Sequence, residues 1–290
     1  MGLLPPTGSD QSPIVEQIRA SLASGNFALM KKEAEELIRN SPESYEGYFW
    51  LGFLDLQLRD DDGAVRALRH AEALNANSYV LKLLAVTYYS LHQSQLFTLT
   101  MHLAIQKDPN DFAPYYYLGR YYVTAKMSNF DKAAEYFRKA IRLNSENLRL
   151  RYYMGYCYEI QRKLGEAEKE YLQTIQLAQK AGIKYSLPFE GMARLRLLQS
   201  KPSEALEYAR KAVQLAPNDA STNTVLAKVY GALGQQAEAI PEWKRVTELD
   251  QTDAVPYYHL FRIYSVLGMK EKAEKAMVNF KRLTAIYGTP

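Results

Sequence analysis

The sequence predicts an all-α fold, an α-solenoid in which helical hairpins stack in a row. Pairs of small or apolar residues lie seven positions apart and recur about every 34 residues, as in Ala64/Ala71, Ala133/Ala140, Ala205/Ala212 and Ala239/Val246. Seven residues are two helical turns, so each pair lies on one helix face that a neighbouring helix can approach closely. A further small residue twelve positions upstream, such as Gly52 before Ala64, marks a second helix. Each repeat is therefore a hairpin, and at least three must stack to bury their apolar faces.

Eight repeats account for the chain from residue 11 to residue 287. Their ranges are about 11–44, 45–77, 78–111, 112–147, 148–181, 186–219, 220–253 and 254–287, and residues 1–10 are predicted to be a disordered N-terminal segment. Pro42, Pro109 and Pro217 each follow a second helix, where a residue without an N–H can no longer continue that helix.

Three repeats depart from the common pattern. The third carries His92 at its turn and Phe97 where Ala is expected, so we expect its hairpin to be splayed or shifted. The fourth holds two extra residues around 126–130, and about four more near 182–185 precede the sixth. We expect both insertions to form exposed loops, or a lengthened helix end in the second case.

The residues at the repeated positions carry a family resemblance. Residues 112–147 contain Tyr115, Leu118, Gly119, Tyr122, Ala133, Phe137 and Ala140, and residues 220–253 contain Leu226, Ala227, Tyr230, Gly234, Ala239, Trp243 and Val246. This order of side chains resembles the tetratricopeptide repeat, over nearly the whole chain. The resemblance implies a right-handed superhelix whose first helices line a concave groove, and a role as a protein-interaction scaffold.

The amino-acid composition indicates what class of protein this is. Hydrophobic residues make up 47% of the chain, enough for a continuous core, and no apolar run approaches the roughly 20 residues that a membrane-spanning helix needs. We therefore predict no membrane insertion. The single cysteine, Cys157, is predicted to be a buried structural thiol. The first residues show no secretory signal, which indicates a cytoplasmic protein by default, or a periplasmic or secreted one if a leader was removed.

The sequence contains no motif that indicates catalysis. The four histidines, His70, His92, His102 and His259, are dispersed without metal-ligand spacing, and there is no phosphate-binding glycine loop or nucleophile elbow. We predict that the chain is not an enzyme and needs neither a metal nor a cofactor.

The resemblance also indicates which residues would face the groove. Reading the family's concave positions onto this chain gives a candidate partner-binding surface made of aromatic and basic residues. It comprises Phe49, Trp50, Phe53, Tyr79, Lys82, Tyr116, Tyr117, Arg120, Arg149, Tyr152, Tyr153, Tyr156, Arg194, Lys228, Tyr258 and Arg262. Adjacent helical residues point about 100° apart, so one tyrosine of each of the pairs Tyr116/Tyr117 and Tyr152/Tyr153 should face outward. Packing between successive first helices is the alternative role for these tyrosines.

Aromatic and arginine side chains suit a protein-binding groove because they offer large contact areas and directed hydrogen bonds. The expected partner is a peptide or protein segment with aromatic or aliphatic anchors and some acidic character. The family subclass that clamps chaperone tails needs Asn at fixed groove positions. Those positions hold other residues here, such as Val86 four residues after Lys82. A chaperone-tail adaptor is therefore not expected.

Two alternatives remain open. Helical repeats of this length also bind single-stranded RNA, but 36 basic residues are offset by 32 acidic ones, and a net charge of +4 argues against a nucleic-acid surface. The last repeat ends with Phe280, Leu283, Ile286 and Tyr287 and no polar capping helix. An exposed apolar end of this kind would allow self-association into a homo-oligomeric scaffold.

Overall fold

In the computed structural model, residues 12–124 and 128–288 are described, and all their regular secondary structure is α-helical. These ranges contain sixteen helices. They are α1 (Pro13–Ala23), α2 (Phe27–Asn40), α3 (Tyr45–Gln57), α4 (Asp61–Leu74), α5 (Ser78–Ser90), α6 (Ser94–Lys107), α7 (Phe112–Thr124), α8 (Phe130–Leu143), α9 (Leu148–Ile160), α10 (Leu164–Lys180), α11 (Leu187–Leu198), α12 (Pro202–Leu215), α13 (Ala220–Ala232), α14 (Gln236–Leu249), α15 (Val255–Val266) and α16 (Lys270–Tyr287). The predicted all-α repeat fold is confirmed.

Odd- and even-numbered helices pair into hairpins through turns that share one geometry. In seven of the hairpins the central turn residue has a positive φ, at Gly25, Arg59, His92, Arg162, Ser200, Gly234 and Gly268. The N–H of the next residue then bonds a carbonyl five residues back, as Gln93 does to Tyr88 at 2.9 Å. The left-handed conformation of the central residue allows this hydrogen bond, which pairs a carbonyl that the end of the helix would otherwise leave without a partner.

The third hairpin keeps this turn in spite of its unusual residues. His92 has a φ of 58° in the same turn position as the other six. Helices α5 and α6 have 13 and 14 residues, as do α3 and α4. The expected shift of this hairpin therefore does not arise in its turn or in its helix lengths.

The insertion before the sixth repeat takes the form of a longer helix followed by a loop. Helix α10 has 17 residues, whereas α12 and α14 have 14 each. This agrees with the lengthened helix end expected near residues 182–185. Residues 125–127 of the other insertion and the predicted disordered segment 1–10 lie outside the described residues, and the repeat boundaries stay predictions.

The chain divides into two compact bodies, here called the N-terminal half (Met1–Ser145) and the C-terminal half (Glu146–Pro290). The N-terminal half is built around large buried side chains that include Phe49, Trp50 and Leu68. The C-terminal half has buried clusters around Tyr171 and around Trp243. Each half therefore has an apolar core of its own.

Two glycines let helices close around one tyrosine in the C-terminal half. A Cβ placed on Gly155 of α9 would lie 2.7 Å from the Tyr171 ring, and one on Gly191 of α11 would lie 2.6 Å from it. Because real Cβ contacts are not that short, the fully buried ring requires glycine on both sides. Tyr171 thereby fixes how closely α9 and α11 approach α10.

Candidate interaction surface

Six of the sixteen residues predicted to bind a partner are buried. They are Phe49, Trp50, Phe53, Lys82, Tyr116 and Tyr152. The prediction that these six face an open groove is corrected, because side chains packed among neighbouring helices present no area to a partner. The burial of Tyr116 and Tyr152 agrees with the packing role that the sequence left open for the tyrosines.

Lys82 shows the reason for one of these corrections. Its side chain is only 1% exposed, and its ammonium forms an ion pair with Asp111, the residue immediately before α7. The ammonium also lies 4.3 Å from the centre of the partly buried Tyr79 ring. A buried polar group is stabilised by such partners, so the side chain of Lys82 ties α5 to the segment that begins α7.

The two tyrosine pairs divide as expected. Tyr116 and Tyr152 are buried, whereas their neighbours Tyr117 and Tyr153 are partly exposed. Within each pair the rings meet edge to face, with centres 5.3 Å apart in the first pair and 5.4 Å in the second. One ring of each pair therefore anchors the helix, and the other contributes to the surface.

Tyr117 lines a largely apolar cavity in the N-terminal half, here called the apolar recess. Its volume is about 170 Å³. The lining residues come from α5, α6 and α7, and they are Val86, Tyr89, Phe97, Tyr117, Arg120, Tyr121 and Thr124. An engineered protein cavity of about 150 Å³ accepts benzene. The recess therefore has room for the apolar end of a partner's side chain.

Three aromatic rings give the apolar recess its shape. The rings of Phe97 and Tyr121 have centres 5.1 Å apart, and the Tyr89 ring lies 5.4 Å from Phe97 and 6.3 Å from Tyr121. Phe97 is buried, whereas Tyr89 is 46% exposed and its hydroxyl lies 3.3 Å from the Thr124 hydroxyl. The recess therefore has a buried aromatic floor and an accessible wall.

Arg120 gives the same recess a charged side. Its side chain is exposed, and its guanidinium carbon lies 5.7 Å from the centre of the Tyr116 ring. One of its N–H groups also donates to the Tyr116 hydroxyl at 3.5 Å. The contact with a buried ring steadies the arginine, while its exposure leaves room for a partner's carboxylate.

Arg194, in the C-terminal half, is part of an internal ion network. Its guanidinium donates to both oxygens of Glu159 at 2.9 and 3.1 Å, and to Glu190 on the preceding turn of its own helix. Tyr171 donates a hydrogen bond to Glu159 at 2.6 Å, and Ser221 donates to Glu190 at 2.8 Å. The prediction that Arg194 belongs to the partner-binding groove is therefore corrected, because two internal carboxylates hold its guanidinium.

Burial shifts the pKa values of the groups in and beside this network. Burial raises the pKa of Glu190, while the neighbouring guanidinium opposes that rise. Burial also raises the pKa of Tyr152 to about 12. For Arg194, burial alone would lower the pKa, but hydrogen bonds and attraction to Glu159 raise it well above its ordinary value. The charged arginine is thus locked in place by the carboxylates around it.

A second cavity in the C-terminal half, here called the basic recess, brings together Lys228 and Arg262 from the predicted set. Its volume is about 280 Å³. The lining residues are Ala227, Lys228, Gly231, Gln236, Trp243, His259, Arg262, Ile263 and Val266. Lys228 and Arg262 are exposed, and the His259 ring is stacked on Trp243 with centres 4.1 Å apart and planes 4° apart.

The other predicted residues of the C-terminal half lie apart from the basic recess. Arg149 is exposed, Tyr153 and Tyr156 are partly buried, and Tyr156 lies under the Arg194 guanidinium at 5.7 Å. Tyr258 is exposed and contacts the Phe280 ring of α16 at 5.4 Å. Of these residues, the exposed Arg149 and Tyr258 offer the most surface to a partner.

The C-terminal end was predicted to be apolar and exposed, and the structure differs from that prediction at one residue. Leu283 is buried, whereas Ile286 and Tyr287 are exposed. Leu283 was expected to lie on an exposed apolar end, and this expectation is corrected because α16 turns that residue towards the core. Of the two residues in the last turn of α16 that were predicted to be exposed, both remain accessible.

No group of three or more potential metal-ligating side chains occurs among the described residues. In the same residues, no helix is both long and apolar enough to cross a bilayer. Cys157 is buried and unpaired, as predicted, and burial raises its thiol pKa to about 12.

Sequence reasoning missed the residues that complete both recesses. Phe97 was noted as a departure from the repeat pattern, and that departure was the signal, because its large ring forms the floor of the apolar recess. Tyr121 gave no signal. His259 was left out of the candidate surface, although it lies three residues before Arg262, on the same helix face.

Comparisons with known proteins agree with this architecture. A sequence profile of the tetratricopeptide repeat matches residues 125–182. The mouse BBSome complex member BBS4 is 26% identical over 98 residues, which are 34% of this chain and 18% of that protein. The chain therefore spans less than a fifth of the length of this curated relative.

Three solved structures share the fold at low sequence identity. The crystal structure of the APC/C hetero-tetramer Cut9–Hcn1 has a TM-score of 0.70 at 15% identity, covering 85% of this chain and 48% of that one. Yeast Tom70 has a TM-score of 0.65 at 15% identity, covering 99% and 64%. A tetratricopeptide repeat protein from Parabacteroides merdae has a TM-score of 0.64 at 16% identity, covering 91% and 97%.

The helical hairpins, their shared turns and these matches define an all-α solenoid repeat protein. More narrowly, residues 125–182 match the tetratricopeptide repeat, and the chain shares the fold of tetratricopeptide repeat proteins. Proteins built from this repeat are generally non-catalytic scaffolds that bind other proteins.

Proposed function

We propose that this protein is a non-catalytic scaffold that binds a segment of a partner protein, with the apolar recess as the anchor site. The observation that supports this proposal is the aromatic cavity between α5, α6 and α7, of about 170 Å³, whose wall Tyr89 is 46% exposed. Protein interfaces are commonly anchored by one side chain that fills a dry pocket of this kind.

The chemistry of the apolar recess suggests what it accepts. Phe97 and Tyr121 offer ring faces and edges to an aromatic or branched aliphatic side chain. Arg120 lies beside them and would pair with an acidic residue near that anchor. The preferred ligand is therefore a segment that combines one large apolar residue with a neighbouring Asp or Glu.

A blocking variant tests this proposal without removing any aromatic wall. Thr124 is exposed and lines the recess, so Thr124→Trp would fill the opening while leaving the core intact. The matched control is Arg138→Trp, at an exposed position on α8 that does not line the recess. Both variants should melt like the wild type.

The measurement is affinity capture from native lysate with the wild type and both variants, followed by titration of the captured protein. We expect Thr124→Trp to weaken binding at least about tenfold, the loss of one well-packed anchor side chain, and the control to leave it unchanged. Equal binding by all three chains would refute the role of the apolar recess. Capture of RNA with a steep loss of binding in salt would favour the alternative function, since phosphate contacts are strongly screened.

A further inference from the structure

The basic recess of the C-terminal half contains positive charge that no described residue neutralises. Lys228 on α13 and Arg262 on α15 both line it, and neither forms an ion pair within the described parts of the chain. Other arginines of the same half do have carboxylate partners. Examples are Arg151 with Glu170 and Arg196 with Glu168.

The remaining lining of the basic recess offers no counter-charge either. None of its described lining residues is acidic, and apart from Gln236 the other contributors are apolar, aromatic or glycine. His259 lies flat on Trp243, which holds the imidazole at the recess that the two cations also line. Three groups that can carry positive charge therefore meet at one concave surface.

The neighbouring groups shift the pKa of His259. Burial lowers its pKa, and repulsion from Lys228 and Arg262 lowers it further. Asp253, in the turn before α15, acts in the opposite direction. Helix α14 contributes Trp243 and Gln236 to the recess, and neither side chain titrates. An anion placed among the cations would offset this repulsion and favour protonation of the imidazole.

We infer that the basic recess is a binding site for an oxyanion, either a carboxylate or a phosphate group of a partner molecule, held by Lys228, Arg262 and protonated His259. The exposed cations would exchange hydrating water for charge-assisted hydrogen bonds, and the histidine would take up a proton as the anion binds. This deepens the proposed scaffold function but does not depend on the apolar recess, because separate residues and separate variants test the two sites.

The Trp243 indole, which stacks on His259, provides a reporter that all the variants retain. We would follow its NMR signal in the full chain while adding sodium benzoate or inorganic phosphate at constant ionic strength and pH 6. The wild type should show a saturable shift. Lys228→Gln and Arg262→Gln should each weaken it at least about fivefold through the loss of a charged contact. Lys244→Gln removes one exposed charge outside the recess and should leave binding unchanged.

The proton linkage gives a second readout. Benzoate stays ionised between pH 5.5 and 7.5, so a change in its affinity over that range reports on the protein. We expect binding about fivefold tighter at pH 5.5 in the wild type, a coupling of ordinary size between two ligands. The His259→Gln variant should show no such change. Circular dichroism melting of each variant separates loss of binding from loss of fold.

Each outcome bears directly on the inference. Binding of benzoate alone identifies a carboxylate source such as an acidic side chain or a chain terminus, and binding of phosphate alone identifies a phosphorylated partner. No saturable shift with either probe up to about 50 mM would overturn the site, as would equal weakening by Lys244→Gln. Loss of the apolar recess by Thr124→Trp should leave this binding intact.

Discussion

Removing Arg194 should destabilise the C-terminal half strongly, because the residue neutralises two buried carboxylates. Arg194→Met takes away two hydrogen bonds from Glu159 and one from Glu190, whose side chains are each only 5% exposed. Breaking a buried ion pair by removing one partner costs ~3–5 kcal/mol. Because the Arg194 side chain is 23% exposed, we expect the lower end of that range at pH 7.5.

The stability that Arg194→Met loses should also depend on pH, and the direction of that dependence follows from the pKa of Glu190. Burial already raises the pKa of Glu190 from an ordinary value of 4.5, and removal of the neighbouring cation raises it further. A carboxyl group whose pKa is raised in the folded state gives most stability below its unfolded pKa and loses it as the pH rises. The deficit of Arg194→Met should therefore be smaller near pH 5 than at pH 7.5.

The assay is urea unfolding followed by far-ultraviolet circular dichroism at both pH values, with the wild type and Arg194→Lys in parallel. A loss of about 3 kcal/mol corresponds to a fall in melting temperature of roughly 6 to 12 °C for about 150 residues. The Arg194→Lys variant keeps the positive charge and should lose less stability than Arg194→Met. A loss below about 1 kcal/mol at pH 7.5, or an equal loss at both pH values, would refute the reasoning.

Three further predictions concern buried groups. Tyr171→Phe removes the 2.6 Å hydrogen bond to Glu159 and should cost about 1.5–3 kcal/mol in urea unfolding, whereas a change under 0.5 kcal/mol would show that water replaces the bond. Burial raises the pKa of the Cys157 thiol to about 12, so a disulfide reagent at pH 8 should react with it only in denaturant; reaction at the rate of a free thiol would contradict its burial. Leu283→Asp should lower the melting temperature by several degrees and Ile286→Asp should leave it unchanged, because Leu283 is buried and Ile286 is exposed; sedimentation of Ile286→Asp then tests self-association without the confusion of unfolding.

The fold could be predicted from the sequence because its determinants are local and repeated. Ala64 and Ala71 specify a helix face within one repeat, and the same spacing recurs along the chain. The lengthened α10 was predictable as well, since an insertion is visible in the repeat count. Buried Cys157 also followed from its place in the middle of a first helix.

The candidate surface could be predicted only in part, because it depends on pairs of residues from different repeats. Arg194 looks like an exposed cation in its own repeat, and only the structure brings Glu159 against it from the previous repeat. Lys82 is covered by a distant residue of its own repeat, because it forms an ion pair with Asp111, 29 residues further along the chain. The family register gives the direction of a side chain from its helix, but it does not give the neighbour that covers it.

The most direct test of the scaffold account is site-specific photo-crosslinking from the apolar recess in living cells. A photoreactive phenylalanine analogue would replace Thr124 in one chain and the exposed Arg138 in the control. The account predicts one defined adduct with another protein from position 124 and none from position 138, with the crosslinked segment containing a large apolar residue beside an acidic one. The absence of an adduct from position 124, or an adduct that nuclease removes, would contradict it.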